Sequence, residues 1–120
     1  MSRLVLLESP YAKQEPTTHE HPAFSGSSYQ FIVYARRCTR DSVLRGEAPF
    51  PSHLIYTQSG ILDDTNAGER QLGIDAGTAW LGKAEAVVVY TDYGVSRGMQ
   101  HRIERARGMG LPIETREIGK

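Results

Sequence analysis

The segment Glu85–Met99, EAVVVYTDYGVSRGM, constrains the fold more than any other part of the chain. Ala86–Thr91 is almost unbroken in apolar character. A strand with one wet face would alternate, so this run reads as a strand buried on both faces. A polar turn containing Gly94 follows, and Ser96 then opens a helical pattern with Met99, Ile103 and Ala106 at core spacing. Strand, tight turn and helix in that order belong to an open α/β sheet, and the carboxyl edge of such a sheet is where ligands bind.

The rest of the chain repeats this alternation. Arg3–Glu8 is a second short apolar run, stopped by Ser9-Pro10, and suits a central strand. Residues 9–28 are polar and carry Pro10, Pro16, Pro22 and Gly26. That is too long for an ordinary connection, which predicts a binding loop, lid or flap. Tyr29–Arg45 reads as a helix with Ile32, Ala35, Cys38 and Ser42 near one face, Phe31 and Val43 beside it, and Gly46 as its stop. Pro49 and Pro51 keep Ala48–His53 extended, with Leu54–Tyr56 continuing it. Asn66 is an N-cap with Glu69 three residues on, as in a capping box. The helix it starts runs to about Leu81, with Leu72, Ala76, Ala79 and Trp80 as its apolar face. Gly73 and Gly77 sit four apart in it, and two such costly residues imply close approach by a ligand or by packed structure. Pro112–Arg116 is a last edge strand. Strands alternating with helices predict one domain over 1–120. Its expected form is a three-layer Rossmann-like (flavodoxin-like) α/β domain with a four- or five-stranded, mainly parallel sheet.

Composition narrows the partners. A chain of 120 residues buries roughly 65% of its unfolded surface, enough for a single core. Lys plus Arg and Asp plus Glu balance at 14 each, so no overall field draws it to genomic nucleic acid or a membrane surface. Cys38 is the only cysteine, which excludes an internal disulfide and fits a reducing cytoplasm. No apolar run approaches the roughly 20 residues of a membrane span, and no signal peptide is expected. The aromatic content, including Tyr29, Phe31, Tyr34, Phe50, Tyr56, Trp80 and Tyr90, is high for one small core and predicts a homodimer or larger homo-oligomer.

Several residues can carry chemistry. The N-terminus of the last helix presents unpaired N–H groups and partial positive charge, which favour an anion. Gly94 and Gly98 let backbone approach a ligand, Ser96 adds a hydroxyl and Arg97 a positive charge. The alternative is an ordinary strand-to-helix turn with Ser96 as its cap. Asp92 lies at the carboxyl end of its strand, where a carboxylate can bind ribose hydroxyls or hold a catalytic group; the alternative is a solvated turn aspartate. Ser9 and Tyr11 sit at the equivalent end of the first strand, and Tyr11 can stack on a base. His53 lines the crevice or is simply exposed. Asp63, Asp64, Glu69 and Asp75 form an acidic group without the spacing of a calcium loop, and His19-Glu20-His21 lies among prolines and threonines. No metal and no cofactor are expected. Cys38 reads as core. There is no G-x-S-x-G elbow and no Walker-type loop.

These pieces together resemble the nucleoside 2-deoxyribosyltransferase-like superfamily, most closely its small phage and bacterial members. The likeness rests on Leu4–Tyr11, Pro51-Ser52-His53, Ile61–Asp64, Glu69–Gly73, Ser96–Met99 and the ending from Ala106 to Ile113. The resemblance implies cleavage or exchange of the bond between a base and a deoxyribose by a glutamate nucleophile, with an assisting aspartate. It implies that Ser96 and Gly98 hold the sugar or a 5′-phosphate, that Asp92 contacts the sugar, and that Tyr11 and His53 line the base side. Ser9, Asp64, Glu69, Gly94, Arg97, Met99 and Arg102 fall at the same implied site. The nucleophile itself does not carry over. Its position is Arg102, and Glu104 is rotated about 200° from it around the helix. A permanently charged guanidinium is no nucleophile but suits an anionic group.

Two functional readings follow. One is an N-glycosidase or deoxyribosyltransferase using another carboxylate, from Asp92, Asp64, Glu69 or Glu104. The other is a non-catalytic protein in which Arg97 and Arg102 hold a nucleotide or nucleotide-derived signal. A scaffold without ligand is the bland alternative.

Overall fold

The computed structural model describes residues 2–10, 28–63 and 65–119. Its elements in chain order are β1 (Arg3–Glu8), α1 (Ser28–Leu44), β2 (Glu47–Phe50), α2 (Ser52–Tyr56), α3 (Ala67–Ala79), a short 3-10 turn (Trp80–Gly82), β3 (Ala86–Tyr90), α4 (Arg97–Gly108) and β4 (Ile113–Arg116). The four strands form one sheet in the order β2-β1-β3-β4. Every pairing is parallel, with Leu6 opposite Phe50 and Val87, and Val88 opposite Glu114. The fold is therefore the three-layer Rossmann-like α/β architecture that the sequence predicts, with four strands. The expected loop at 9–28 lies largely outside the described residues.

The two clear apolar runs occupy the two central strands, and alternation along them separates two cores. Val5, Leu7, Val88 and Tyr90 meet Phe31, Tyr34 and Cys38 of α1 on one face. Leu6, Val87 and Val89 meet Leu81 and, from α4, Met99, Ile103 and Ala106 on the other. Each buried Val, Leu, Ile, Phe or Met among them contributes roughly 1.5–3 kcal/mol. Pro49 is tolerated in β2 because β2 is an edge strand. On the α1 face the two edge strands are also tied together. Arg116 of β4 donates from both terminal nitrogens to Glu47 of β2 at 2.7 Å, and Arg3 bridges Glu47 and Glu114 at 3.0 and 2.7 Å.

Three expectations are corrected. Leu54–Tyr56 does not extend β2. It belongs to α2, whose first residue, Ser52, is buried. Pro51 supplies the N-cap position, and a proline bars helix only before itself. In α1 the buried face is Phe31, Tyr34, Ala35, Cys38 and Ser42, whereas Val43 is exposed. In α3 Leu72 is exposed and Gly77 is the buried residue, and Trp80, in the 3-10 turn that follows, is exposed. The helix turns its glycines inward because of what lies beneath them.

Among the described residues no helix is long and apolar enough to cross a membrane. Several of the aromatics that suggested an oligomer pack against one another within the chain. Phe31 and Tyr34 pack edge-on against Tyr93, and Phe50 stacks near Trp80, whose indole N–H donates to the Tyr56 hydroxyl at 3.0 Å.

Candidate functional site

The chain passes from β1 outward to β2, then crosses back over β1 to reach β3 and β4. The direction of winding thus reverses between β1 and β3, and an open sheet has its crevice at the carboxyl ends of such a pair. Glu8 is the last residue of β1. It shares a face with Leu6, toward α4, and it is 0% exposed.

Four elements meet around its partner. Arg102, in the second turn of α4, is 5% exposed. Its Nη1 donates to Glu8 Oε2 at 3.1 Å and to Ser52 Oγ at 3.3 Å, and its Nη2 donates to the carbonyl of Ile74 in α3 at 3.3 Å. Gly77 explains the spacing of the α3 glycines. A Cβ there would stand 2.9 Å from both Arg102 Nη2 and Ser52 Oγ, so only glycine leaves room for the guanidinium. Gly73 fits against the Leu62 side chain in the same way, at 3.2 Å. The close approach inferred from the two glycines is thus made by the protein itself.

The carboxylate is only half used. Among the described residues no hydrogen-bond donor reaches Glu8 Oε1, although the atom is buried. The imidazole of His53 borders it, with Nε2 at 3.6 Å, beyond hydrogen-bonding distance. Buried polar atoms are rarely left in this state.

The β3–α4 turn lies beside this cluster in the sheet order. Gly94 takes a positive φ of 87° and donates to the Thr91 carbonyl at 2.9 Å, a conformation that side chains resist. Ser96 caps α4 by accepting from the Met99 N–H at 3.2 Å, while its own N–H points to Met99 Sδ at 3.4 Å. Arg97 and Gly98, the first two helical residues, are exposed, and the space a Gly98 Cβ would enter is open.

Residues 3–116 match the model of a family described as a domain of unknown function, DUF7768. The chain belongs to that family. No curated protein and no solved structure matches it.

In this DUF7768 domain the sequence-predicted residues separate into three groups. Arg102 and His53 converge on Glu8, with Ser9 next to it in the chain and buried. Gly94, Ser96, Arg97 and Gly98 form the turn at the end of β3. Asp92, Glu69 and Met99 are engaged elsewhere. Met99 is a core residue with no exposure. Glu69 accepts from the Asp63 N–H at 2.8 Å, so the capping at Asn66 is one-sided: Asn66 Oδ1 accepts from the Glu69 N–H at 3.0 Å. Glu104 is exposed and accepts from Gln100. Tyr11, Asp64 and His19-Glu20-His21 lie outside the described residues. Among the described residues no group of three metal-ligating side chains occurs.

Asp92 requires a correction of role. It faces the α1 side of the sheet, away from Arg102, and it is neither solvated nor available. Its Oδ1 accepts from the Tyr34 hydroxyl at 2.5 Å, and the two oxygens accept from the N–H groups of Ile118 and Gly119 at 2.8–3.1 Å. Burial pushes its pKa up, but the hydrogen bonds from Tyr34, Ile118 and Gly119 outweigh that and hold it below the usual value. Asp92 anchors the end of the chain after β4. Arg102 is likewise reassigned: the negative group it holds is Glu8. Cys38 is core, as expected, and burial pushes its thiol up to about 12.

Sequence reasoning missed Glu8, Ser52 and the seat at Gly77. A signal for the first existed. Arg102 lies on the buried stripe of α4 defined by Met99, Ile103 and Ala106, and a cation on a core face demands a buried anion. The charge closing the β1 run is one.

Proposed function

We propose that this domain binds a nucleoside, nucleotide or nucleotide-derived ligand over the carboxyl ends of β1 and β3. The observation that carries the reading is Glu8 Oε1, a buried acceptor at the switch point of the sheet with no donor of its own among the described residues. A ligand that brings a donor to that place satisfies it. The β3–α4 turn supports an anionic end for the same ligand. Gly94 and Gly98 keep the backbone open, and the α4 N-terminus supplies N–H groups and partial positive charge. The resemblance to nucleoside 2-deoxyribosyltransferase-like proteins supports a 5′ end at Ser96–Gly98 and a base toward His53.

Binding without turnover is favoured over glycosidic cleavage. The position that the resemblance to nucleoside 2-deoxyribosyltransferase-like proteins gives to the nucleophile holds a guanidinium already paired with Glu8. Of the carboxylates first considered, Asp92, Glu69 and Glu104 are each engaged in hydrogen bonds within the protein. Calorimetric titration with ribo- and deoxyribonucleosides and their 5′-monophosphates tests the reading, with chromatography of the same mixtures for free base. Heat of binding for at least one ligand without base release is expected. No binding across the panel overturns the proposal, and base release replaces the binder by an N-glycosidase.

A further inference from the structure

We infer that Glu8 is the residue that reads the ligand's sugar, with Oε1 accepting a hydrogen bond from a sugar hydroxyl while Arg102 positions the carboxylate through Oε2. The inference rests on the nucleotide-type reading above and gives it a specificity determinant. Three observations on β1, α2 and α4 carry it.

The first is the division of labour between the two oxygens. Oε2 is held by Arg102 Nη1 at 3.1 Å. Oε1 is buried and meets no donor among the described residues. If Glu8 served only to neutralise Arg102, the fork of the guanidinium would face both oxygens, as planar bidentate pairs do. Instead Nη1 turns to Ser52 and Nη2 to the Ile74 carbonyl, and one oxygen is kept out of the pair.

The second is charge. Arg102 neutralises the carboxylate and the His53 imidazole already stands 3.6 Å from Oε1, so Oε1 does not call for a further cation, and a phosphate brought against a carboxylate oxygen is repelled. A neutral donor fits best, and a hydroxyl is the neutral donor that a nucleoside carries on its sugar. The anionic end then belongs at the α4 N-terminus, on the other side of the crevice mouth, consistent with exposed Arg97 and Gly98 there.

The third is rigidity. Arg102 is seated against Gly77 and fixed by three acceptors. Glu8 sits on a central strand paired on both sides. An acceptor locked this way discriminates strongly, since a ligand lacking the hydroxyl leaves the carboxylate oxygen unpaired. His53, with Nε2 at 3.6 Å from Oε1, is the side chain that borders the place the hydroxyl would enter.

The test compares each ribonucleoside and 5′-monophosphate that binds with its 2′,3′-dideoxy counterpart, by calorimetry on the full chain. The unmodified protein is expected to prefer the hydroxyl-bearing form by about tenfold or more. In Glu8→Gln the amide oxygen turns to Arg102 and the NH2 group faces the crevice; a hydroxyl can still accept from it, but the charge-assisted bond is lost, so the preference is expected to fall severalfold rather than vanish. Glu8→Met combined with Arg102→Met removes both charges and their hydrogen-bonding atoms at similar volume, and is expected to lose the preference. Equal affinity of the unmodified protein for both forms overturns the role of Glu8 while leaving nucleotide binding in place, and needs no variant. A preference that survives in the double variant also overturns it, since neither methionine can donate to or strongly accept from a hydroxyl. Failure of the whole panel to bind removes the nucleotide reading and this inference with it.

Discussion

Glu8 and Arg102 are 94 residues apart in the chain, yet Oε2 and Nη1 lie 3.1 Å apart and neither side chain is more than 5% exposed. The pair joins the end of β1 to the buried stripe of α4. It also answers what an arginine is doing on a helix face otherwise made of Met99, Ile103 and Ala106.

Breaking such a pair from one side leaves a bare charge in the interior. Arg102→Met is expected to cost about 3–5 kcal/mol, and Glu8→Met a similar amount, whereas the double replacement is expected to cost far less than their sum. Urea unfolding of the three variants measures this. Additive losses would mean that the two charges do not depend on each other.

The glycines of the site separate by what surrounds them. Gly77→Ala places a methyl 2.9 Å from Arg102 Nη2 and Ser52 Oγ, and overpacking of about 1–3 kcal/mol is expected to exceed the gain in helix propensity. Gly98→Ala meets nothing within 4 Å, so stability is expected to hold or rise by up to about 1 kcal/mol. The same methyl stands where a ligand would approach the backbone, so nucleotide affinity is expected to fall. A Gly98→Ala protein that binds as tightly as the parent would move the ligand away from the α4 N-terminus.

Much of the framework was legible because its signals are local. The apolar runs at Leu4–Leu7 and Ala86–Tyr90 announce strands buried on both faces, and Asn66 and Ser96 announce helix starts through side-chain caps that the structure contains. What sequence alone misplaced depends on neighbours distant in the chain. Leu72 and Trp80 have the spacing of a core face, but α3 turns Gly77 inward because a guanidinium from α4 needs that space. Asp92 has the position of a ligand carboxylate, but Tyr34 and the backbone at 118–119 claim it. Glu8 was hidden because the end of a buried strand is an ordinary place for a charge to emerge into water, and only the position of Arg102 shows that it does not.

Acid is expected to loosen the edges of the sheet first. Arg116 hydrogen bonds lower Glu47 from its ordinary 4.5 to about 2, and Arg3, followed by Arg116, lowers Glu114. A carboxylate whose folded pKa is depressed adds stability above its unfolded pKa and loses that contribution as pH falls through the folded value. For Glu47 the loss therefore runs from about 4.5 down to about 2, and is on the order of 3 kcal/mol. Glu47→Gln is expected to be less stable at pH 7 and to show a flatter decline between pH 5 and about 2. Parallel urea curves over that range check it, and an unchanged slope would mean that the Arg116 pair contributes nothing to folding.

The anchoring of the chain end by Asp92 makes a separate claim. Asp92→Asn puts an NH2 group or a weaker acceptor opposite the N–H groups of Ile118 and Gly119, and the lost charge-assisted bonds are expected to cost about 1.5–3 kcal/mol. Tyr34→Phe removes the hydroxyl that both donates to Asp92 Oδ1 and accepts from the Asp92 N–H, with an expected cost of about 1–3 kcal/mol. In hydrogen exchange, amides 118 and 119 are expected to lose protection in Asp92→Asn while those of Val87–Val89 keep theirs, because the β3 ladder to β1 and β4 does not pass through the carboxylate. Nucleotide affinity is expected to change little, since Asp92 faces α1 and Glu8 faces α4. Affinity lost in Asp92→Asn with exchange at 118 and 119 unaltered would return Asp92 to the ligand side of the sheet.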